Sequence, residues 1–426
     1  MSVTLSPAAH RTGTVHRVRT ACRACGRPGL EPFLDLGMQP LANAFPRSPA
    51  EFADEARFPL AVYFCDECSL VQLADVIDPE VLFRDYIYVT GTSTTIAAHN
   101  VAYARTVADL LNLDGAALVI EVASNDGSLL RRFAERGVRT LGVEPASNIA
   151  ALARASGVET VNEFFNLETA RSLRERYGPA KAVIGNNVLA HVDDTRDFLA
   201  GFGALLDDGG LAIVEVPYVR DLVDRLEYDT VYHEHLCYFS VTALARVCDE
   251  VGLRIVRVDH VPVHGGSIRV YAERSSHGAA HAPEVRSMME RERSDGLADI
   301  RAYRDLASAV ARTRSELLDL LRRLRESGST IAAYGAPAKG NTLLNYCGIG
   351  TDLVDYTVDR NALKVGRYTP GMHLPVLPVE TLLERRPDYV LILAWNFADE
   401  IMEQQRAYRE GGGRFILPIP QPRVVS

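Results

Sequence analysis

Two histidines, a glutamate and two tyrosines stand close together in residues 232–239, Tyr-His-Glu-His-Leu-Cys-Tyr-Phe. Imidazole titrates near neutral pH and is the side chain that most often acts as a general base, while phenols donate hydrogen bonds to oxygen atoms. The run does not match His-Glu-x-x-His, which argues against a catalytic zinc at this place. These residue types predict a proton-transfer site that acts on a carbon acid.

Two Cys-x-x-Cys pairs lie near the start of the chain. The four cysteines are Cys22, Cys25, Cys65 and Cys68. Two such pairs are typical of tetrahedral thiolate coordination of zinc, whereas a redox disulfide would need only one pair in a thioredoxin-like context. Four thiolates leave no open position for water or substrate. We therefore predict a structural zinc ion that stabilises the fold and takes no part in catalysis.

Length and charge limit the classes of protein. A chain of 426 residues exceeds one ordinary hydrophobic core and should divide into two or three domains. The formal net charge of -9 argues against a nucleic-acid partner, which requires a dominant basic face. No apolar run approaches the ~20 residues that cross a bilayer, and the N-terminus lacks the apolar stretch of a secretory signal. We expect a cytoplasmic protein with no membrane partner.

A cofactor signal begins in the second segment. Residues 117–122 are rich in β-forming side chains, residues 123–128 are small or polar, and an amphipathic stretch begins at Leu129. Strand, turn and helix in this order are typical of a nucleotide-binding crossover. Ala123 and Asn125 stand where the glycines of a G-x-G-x-x-G turn would be, so a close approach to a pyrophosphate is not expected. The turn suits a cofactor without phosphate.

An acid follows the second strand of this segment. Residues 138–143 are β-rich and end at Glu144, at a distance from the first turn that is suited to holding ribose hydroxyls. The alternative is a helix N-terminal charge placed before Pro145. Further β-rich runs at residues 182–184 and 211–216 complete an alternating α/β pattern.

The third segment repeats this pattern on a smaller scale. A long helix is predicted over residues 299–326, with an apolar stripe that packs into the core. Residues 331–335 form a predicted strand that leads into the loop 336–341, whose backbone amides and Lys339 are suited to phosphate. Strands near residues 354–358, 389–393 and 415–417 predict a second, smaller doubly wound sheet. The alternative is a domain that only supports the catalytic half.

Five motifs in one order connect these segments to a known family. They are the paired cysteines and residues 121–127, 186–191, 232–239 and 334–341. Together they resemble the S-adenosylmethionine (SAM)-dependent sugar C-methyltransferases, which make branched deoxysugars on nucleotide-linked 4-keto sugars for antibiotic biosynthesis. The resemblance spans nearly the whole chain. One departure is Ala123, where the family usually has glycine.

The resemblance implies an α/β fold with three domains. They are an N-terminal zinc-binding domain over residues 1–80, a central Rossmann-like SAM methyltransferase domain over residues 81–270, and a C-terminal, smaller doubly wound Rossmann-like domain over residues 271–426, which binds the nucleotide sugar. The expected ligands are SAM, structural zinc and a small-molecule sugar nucleotide. The oligomeric state stays open, with a monomer as one option.

The resemblance also implies a set of site residues. The catalytic group is His235, His191, Tyr86, Tyr232 and Glu234; the cofactor-binding group is Glu121, Ala123, Asn125, Gly127, Glu144 and Asn186; the nucleotide-binding pair is Lys339 and Asn341. His235 is the favoured base that removes the proton next to the ketone. Tyr232 and Tyr86 would donate hydrogen bonds to substrate oxygens, and Glu234 would orient the neighbouring imidazole.

Three classes of function remain in competition. The first is C-methylation of a dTDP-linked 4-keto-deoxysugar at C3, with C5 as the near alternative. The second is a zinc-containing methyltransferase that acts on RNA or protein, against which the net acidity weighs. The third is a non-catalytic protein that binds a nucleotide or acyl-CoA through the C-terminal domain, which leaves residues 232–239 without a purpose.

Overall fold

A computed structural model describes residues 15–84, 94–263, 265–276 and 279–425, without the side chains of residues 94–96. Three sheets of four or more strands succeed one another along this part of the chain. None of the helices in the described ranges is long and apolar enough to span a membrane.

The first segment is an antiparallel sheet that carries the cysteine pairs. Its elements are β1 (His16–Val18), β2 (Glu31–Pro40), a 3₁₀ helix (Pro49–Asp54), β3 (Arg57–Phe64), β4 (Val71–Leu73), β5 (Asp75–Ile77) and α1 (Pro79–Phe83). β2, β3 and β4 form a meander, while β1 pairs with β5 in a separate ribbon. Buried positions alternate along the second half of β3, as expected for a strand with one face on the core.

The second segment is a seven-stranded sheet covered by helices. Its elements are α2 (Thr94–Leu111), β6 (Leu118–Val122), α3 (Ser128–Ala134), β7 (Arg139–Val143), α4 (Ser147–Ala155), β8 (Thr160–Val161), α5 (Leu167–Tyr177), β9 (Ala180–Asn186), a 3₁₀ helix (Leu189–His191), α6 (Thr195–Leu205), β10 (Leu206–Pro217), α7 (Val219–Arg225), a 3₁₀ helix (Tyr228–Thr230), β11 (Cys237–Tyr238), α8 (Val241–Glu250), β12 (Leu253–Val261) and β13 (Ser267–Arg274).

The strand order of this sheet is β12-β13-β10-β9-β6-β7-β8, parallel from β8 to β10 and antiparallel at β13 and β12. Every residue of β6 is buried, because helices cover both faces of a parallel sheet. The chain leaves β6 for β7 on one side and later returns to β9 on the other. Ligands bind at such a reversal, outside the carboxyl ends of the strands.

One strand of the second segment belongs to the first sheet. β11 pairs antiparallel with β4, with Cys237 opposite Gln72 and Tyr238 opposite Val71. Two residues are too few to show a β pattern, so the sequence did not indicate this pairing. The segment that carries His235 is therefore fixed to the cysteine-containing sheet.

The third segment confirms the expected second doubly wound sheet. Its elements are α9 (Pro283–Ser294), α10 (Ile300–Glu326), β14 (Ile331–Tyr334), α11 (Ala338–Cys347), β15 (Thr357–Val358), β16 (Val376–Leu377), α12 (Thr381–Arg385), β17 (Tyr389–Ile392), a 3₁₀ helix (Trp395–Phe397), α13 (Ala398–Gln404), α14 (Arg406–Glu410), β18 (Arg414–Leu417) and β19 (Arg423–Val425). The strand order is β16-β15-β14-β17-β18-β19, with only β19 antiparallel. The domain limits stay predictions; β13 runs four residues beyond the expected boundary at residue 270.

Candidate functional site

The four cysteine sulfurs converge on one point. Their Sγ atoms lie within 4.8 Å of one another, with 3.5 Å between Cys22 and Cys68 and 3.6 Å between Cys25 and Cys65. Tetrahedral zinc with Zn–S bonds of ~2.3 Å separates its sulfurs by ~3.8 Å, so the cluster fits the ion. Gln72 donates from Nε2 to Cys22 Sγ at 3.1 Å, an outer contact typical of metal ligands. The predicted zinc site is confirmed in ligand type and geometry.

His235 is held by hydrogen bonds at both ring nitrogens. Its Nδ1 atom lies 2.8 Å from the carbonyl oxygen of Thr230, and its Nε2 atom lies 2.8 Å from the hydroxyl of Tyr232. A carbonyl only accepts, so Nδ1 carries the proton and Nε2 presents its lone pair. The orienting group is the backbone of Thr230, which the sequence did not indicate. The arrangement gives His235 the tautomer that a general base at Nε2 requires.

His191 lies beside this base. It ends the 3₁₀ helix after β9, and its ring centroid is 4.8 Å from that of His235, with the planes at 74°. Burial lowers the pKa of His191 to about 4, so the ring is neutral near neutral pH. No described residue forms a hydrogen bond with its Nδ1 atom. A neutral imidazole of this kind can donate to a substrate oxygen or accept from a hydroxyl.

The other members of residues 232–239 point in different directions. Glu234 is 3% exposed and accepts a hydrogen bond from Asn43 Nδ2 at 2.7 Å. Its charge also acts on the buried ammonium of Lys364, so this carboxylate lies between groups of the first and third segments. His233 is buried against the carbonyl oxygen of Pro59, 3.1 Å from Nε2. Tyr86, the remaining candidate of the catalytic group, lies outside the described residues.

The turn between β6 and α3 has an unusual backbone. Ala123, Asn125 and Gly127 all have positive φ, at 53°, 50° and 73°. The left-handed conformation costs an L-residue ~1–2 kcal/mol, so Ala123 occupies a position that favours glycine. A Cβ atom on Gly127 would lie 2.7 Å from Cγ2 of Val158, which only glycine avoids. The turn thus has the close packing of a cofactor cradle.

Two carboxylates border this turn. Glu144 follows β7 and accepts the backbone amides of Asn125 and Ala146, each at 2.9 Å. Glu121 is buried on β6, burial raises its pKa well above the usual range, and no described residue forms a hydrogen bond with its Oε2 atom. A buried acceptor without a partner fits a ligand with hydroxyl or ammonium groups, as SAM has.

Asn186 completes the cofactor group at the end of β9. Its Oδ1 atom accepts a hydrogen bond from the hydroxyl of Tyr103 at 3.0 Å. The six predicted cofactor residues therefore lie at the carboxyl ends of β6, β7 and β9, around the reversal of strand order. Glu144 also accepts the amide of Ala146 just before α4, as the alternative of a helix N-terminal charge would have it, and a carboxylate retains lone pairs for ribose hydroxyls.

Lys339 lies among acids at the start of α11. Its Nζ atom contacts Oδ1 of Asn396 and lies 4.2 Å from the ring centroid of Trp395. The indole of Trp395 donates to Asp229 at 2.6 Å. Burial raises the pKa of Asp229 to about 6 and that of Glu227 to about 8, while Lys339 opposes both shifts. The sequence did not indicate this cluster, because its members are far apart in the chain.

Asn341, the second residue predicted to bind the nucleotide, connects helix α11 to the first segment. Asn341 donates from Nδ2 to the carbonyl oxygen of Ala42 at 2.7 Å and is 1% exposed. Thr342, the next residue, donates to the carbonyl oxygen of Val231 at 3.0 Å. Helix α11 is therefore tied to the first segment and to the chain just before Tyr232.

The third segment contains the same kind of contact between an acid and a turn as the second segment. Asp359, after β15, accepts the backbone amide of Ala336 at 2.7 Å and that of Asn361 at 2.7 Å. Glu144 makes the same two kinds of contact in the second segment. The two sheets thus present the same acid-bordered turn, one at each candidate binding site.

Comparison with known proteins gives matches along most of the chain. Three family profiles match: a zinc binding domain at residues 22–83, a methyltransferase domain at residues 97–258 and the C-methyltransferase C-terminal domain at residues 262–420. The C-methyltransferase NovU of Streptomyces niveus is 39% identical over 405 residues, which is 95% of this chain and 96% of NovU.

Two solved structures each resemble less than half of the chain. Magnesium protoporphyrin IX methyltransferase of Synechocystis, solved with bound SAM, is 17% identical, with a TM-score of 0.34 over 47% of this chain and 99% of its own. The PH0226 protein of Pyrococcus horikoshii is 13% identical, with a TM-score of 0.37 over 46% of this chain and 96% of its own.

Proposed function

Because the chain belongs to the SAM-dependent C-methyltransferase family, we propose that it methylates C3 of a dTDP-linked 4-keto-deoxysugar. Family membership establishes methyl transfer from SAM to carbon. The observation that supports the ketone substrate is the contact of His235 Nε2 with the Tyr232 hydroxyl at 2.8 Å, next to His191. A base and neutral hydrogen-bond donors are what a carbon acid beside a ketone requires.

The proposed first step is removal of the C3 proton. The Nε2 atom of His235 takes the proton as the C3–H bond breaks, and the electron pair moves into the enolate that extends to the C4 oxygen. The carbonyl oxygen of Thr230 accepts a hydrogen bond from Nδ1 of His235 at 2.8 Å and so favours the imidazolium that forms. Tyr232 releases Nε2 and turns its hydroxyl towards the developing enolate oxygen, where a donor stabilises the charge.

The cofactor-binding residues place the second reactant. Bound SAM supplies an electrophilic methyl group to the nucleophilic carbon. Glu121 and Glu144 lie at the carboxyl ends of β6 and β7 and would hold its polar groups, while Gly127 lets the turn pack against Val158. Their position at the edge of the same sheet that carries His191 favours a short distance between cofactor and base.

The third segment would bind the nucleotide. Lys339 and the loop 334–341 lie at the start of α11, where backbone amides favour an anion. The side chain of Lys339 is neutralised in part by Asp229 and Glu227, so diphosphate would have to compete with these carboxylates. We expect a cytoplasmic enzyme with a small-molecule substrate and no nucleic-acid partner, since the net charge is -9.

One experiment tests both substrate and position. The purified protein is incubated with ¹³C-methyl SAM and a panel of dTDP-4-keto sugars that carry hydroxyl, amino or no substituent at C3. Mass spectrometry detects the added methyl group, and carbon NMR identifies the methylated carbon. We expect methylation at C3. Methylation at C5 would correct the position, and transfer to RNA or protein without transfer to any sugar nucleotide would refute the substrate.

A further inference from the structure

Arg23, between the cysteines of the first pair, has a completely buried side chain. Its Nε atom donates to Asp193 Oδ1 at 3.0 Å, and its Nη1 atom donates to the carbonyl oxygen of Leu73 and to Gln72 Oε1, the latter at 3.2 Å. No described residue forms a hydrogen bond with its Nη2 atom. One guanidinium therefore joins two separate parts of the chain inside the protein.

The first of these parts leads to His191. Asp193 stands two residues after His191, at the end of the loop that follows β9. Thr195, in the first turn of α6, donates from Oγ1 to the carbonyl oxygen of Arg23 at 3.1 Å. Both the side chain and the backbone of Arg23 thus hold the loop that carries His191.

The second part leads to His235. Leu73, whose carbonyl oxygen accepts from Arg23, donates its own amide to the carbonyl oxygen of Leu236 at 2.9 Å. Leu236 follows His235 directly and donates its amide to the carbonyl oxygen of Ala190 at 2.7 Å. Ala190 and Leu236, which stand next to the two histidines in the chain, are therefore bonded to each other, and Leu236 is also bonded to β4, the strand that Arg23 contacts.

Stability alone is a poor reason for such a residue. Removing a guanidinium from water is costly, and replacing buried ion pairs by apolar side chains is often neutral or stabilising. Arg23 also leaves one nitrogen without a described partner, which adds to this cost. A buried guanidinium that bonds to two separate parts of the chain is better suited to holding those two parts in a single arrangement.

We propose that Arg23 is a positioning residue, which holds His191 and His235 at the separation that proton transfer requires. The inference rests on the proposed function and deepens it, since it gives the zinc-binding segment a part in the reaction. The cysteine pair holds the backbone on either side of Arg23, and Arg23 transmits that order to both histidines. A shift of about 1 Å at a reacting group can cost ~10²-fold in rate.

The test compares Arg23→Met with Arg17→Ala. Arg17 also pairs with Asp193, but its side chain is 57% exposed, whereas that of Arg23 is completely buried. We expect Arg23→Met to keep its zinc content, its melting temperature and its SAM affinity, and to lose ~10²-fold in kcat with little change in the KM of the sugar nucleotide. Arg17→Ala should behave like the wild type.

A second variant and a second measurement keep the proposal testable. If Arg23→Met does not fold, Asp193→Asn keeps the side-chain shape but removes the carboxylate charge that Arg23 shares with Arg17 and Arg19, and it should lower kcat without changing KM. Near-normal kcat in a folded Arg23→Met protein, or in Asp193→Asn, overturns the proposal. If the wild type transfers no methyl group to sugar nucleotides, the substrate proposal fails instead. A crystal structure of Arg23→Met then decides the positioning role, since an unchanged 4.8 Å between the two imidazole rings refutes it.

Discussion

The Nδ1 atom of His235 lies 2.8 Å from the carbonyl oxygen of Thr230. Thr230 ends a 3₁₀ helix that also contains Asp229, and Asp229 bonds to Trp395 of the third segment. The proton on the candidate base is therefore placed by a backbone group, and that backbone is anchored in the part of the protein that is proposed to bind the nucleotide.

The substitution His235→Asn tests the base. Removal of a general base typically costs ~10²–10⁴-fold in turnover, while both ligands should still bind. In deuterated water, with substrate and a SAM analogue that cannot donate methyl, the wild type should exchange the C3 proton and the variant should not. His233→Asn is the matched control, because the ring of His233 bonds to the carbonyl oxygen of Pro59 in the first sheet. Near-normal turnover in His235→Asn would move the role of base to His191.

The substitution Tyr232→Phe tests the proposed enolate donor. Loss of one donor to a developing oxyanion costs ~10²–10³-fold in kcat. Proton exchange catalysed by His235 should slow as well, because the enolate loses its stabilisation in the same step. If Tyr232→Phe exchanges the proton at the wild-type rate, the phenol serves another purpose.

Substitutions of the two corresponding acids, Glu144 and Asp359, test whether the second segment binds SAM and the third segment binds the sugar nucleotide. Each borders a turn through two backbone amides. Glu144→Ala should weaken SAM binding by ~10-fold or more, which corresponds to ~1.4 kcal/mol, and leave sugar nucleotide binding nearly intact. Asp359→Ala should show the reverse. Calorimetry measures both affinities, and unchanged SAM affinity in Glu144→Ala would assign this residue to the support of the turn alone.

The lysine cluster predicts a pH dependence. Lys339→Ala should raise the KM of the sugar nucleotide with little change in kcat, the sign of lost uniform binding.

Burial raises the pKa of Asp229 to about 6 and of Glu227 to about 8, so both carboxyls become negative as the pH rises through this range. The growing negative charge repels the diphosphate, so the wild-type KM should rise with pH. Asp229→Asn should flatten the lower part of this rise. Trp395, the sole tryptophan, reports binding by fluorescence. A fall in SAM affinity in Lys339→Ala, with KM unchanged, would exchange the roles of the two domains.

Zinc content can be measured directly. Freshly purified protein should contain close to one zinc ion per chain by elemental analysis. Cys65→Ser should lower both the zinc content and the melting temperature, because the metal contributes folding free energy to the first sheet. Cys248→Ala, which removes a buried thiol outside the cluster, should keep its zinc. A full zinc content in Cys65→Ser would exclude this cysteine as a ligand.

Local patterns in the chain were enough to predict much of the fold. The predicted helix over residues 299–326 is α10, and its apolar stripe, including Leu306, Val310 and Leu317, is buried. The strand, turn and helix that begin at residue 117 appear as β6, the left-handed turn and α3. Each of these signals depends on residues a few positions apart, where periodicity and propensity act directly.

Contacts between side chains and backbone atoms could not be predicted in the same way, even where the residues are only five positions apart. The tautomer of His235 depends on the backbone of Thr230, and a backbone carbonyl has no residue type by which a sequence reveals it.

The sequence by itself was enough to predict the four-cysteine zinc site and the two α/β units, and it supplied the histidines and tyrosines that we propose for proton transfer. Only the tertiary structure decided how these parts act together. It paired β11 with β4, placed Arg23 between Asp193 and Leu73, and set acids around Lys339. These contacts join residues far apart in the chain, and they form because buried polar groups must find partners wherever the packed core brings them close.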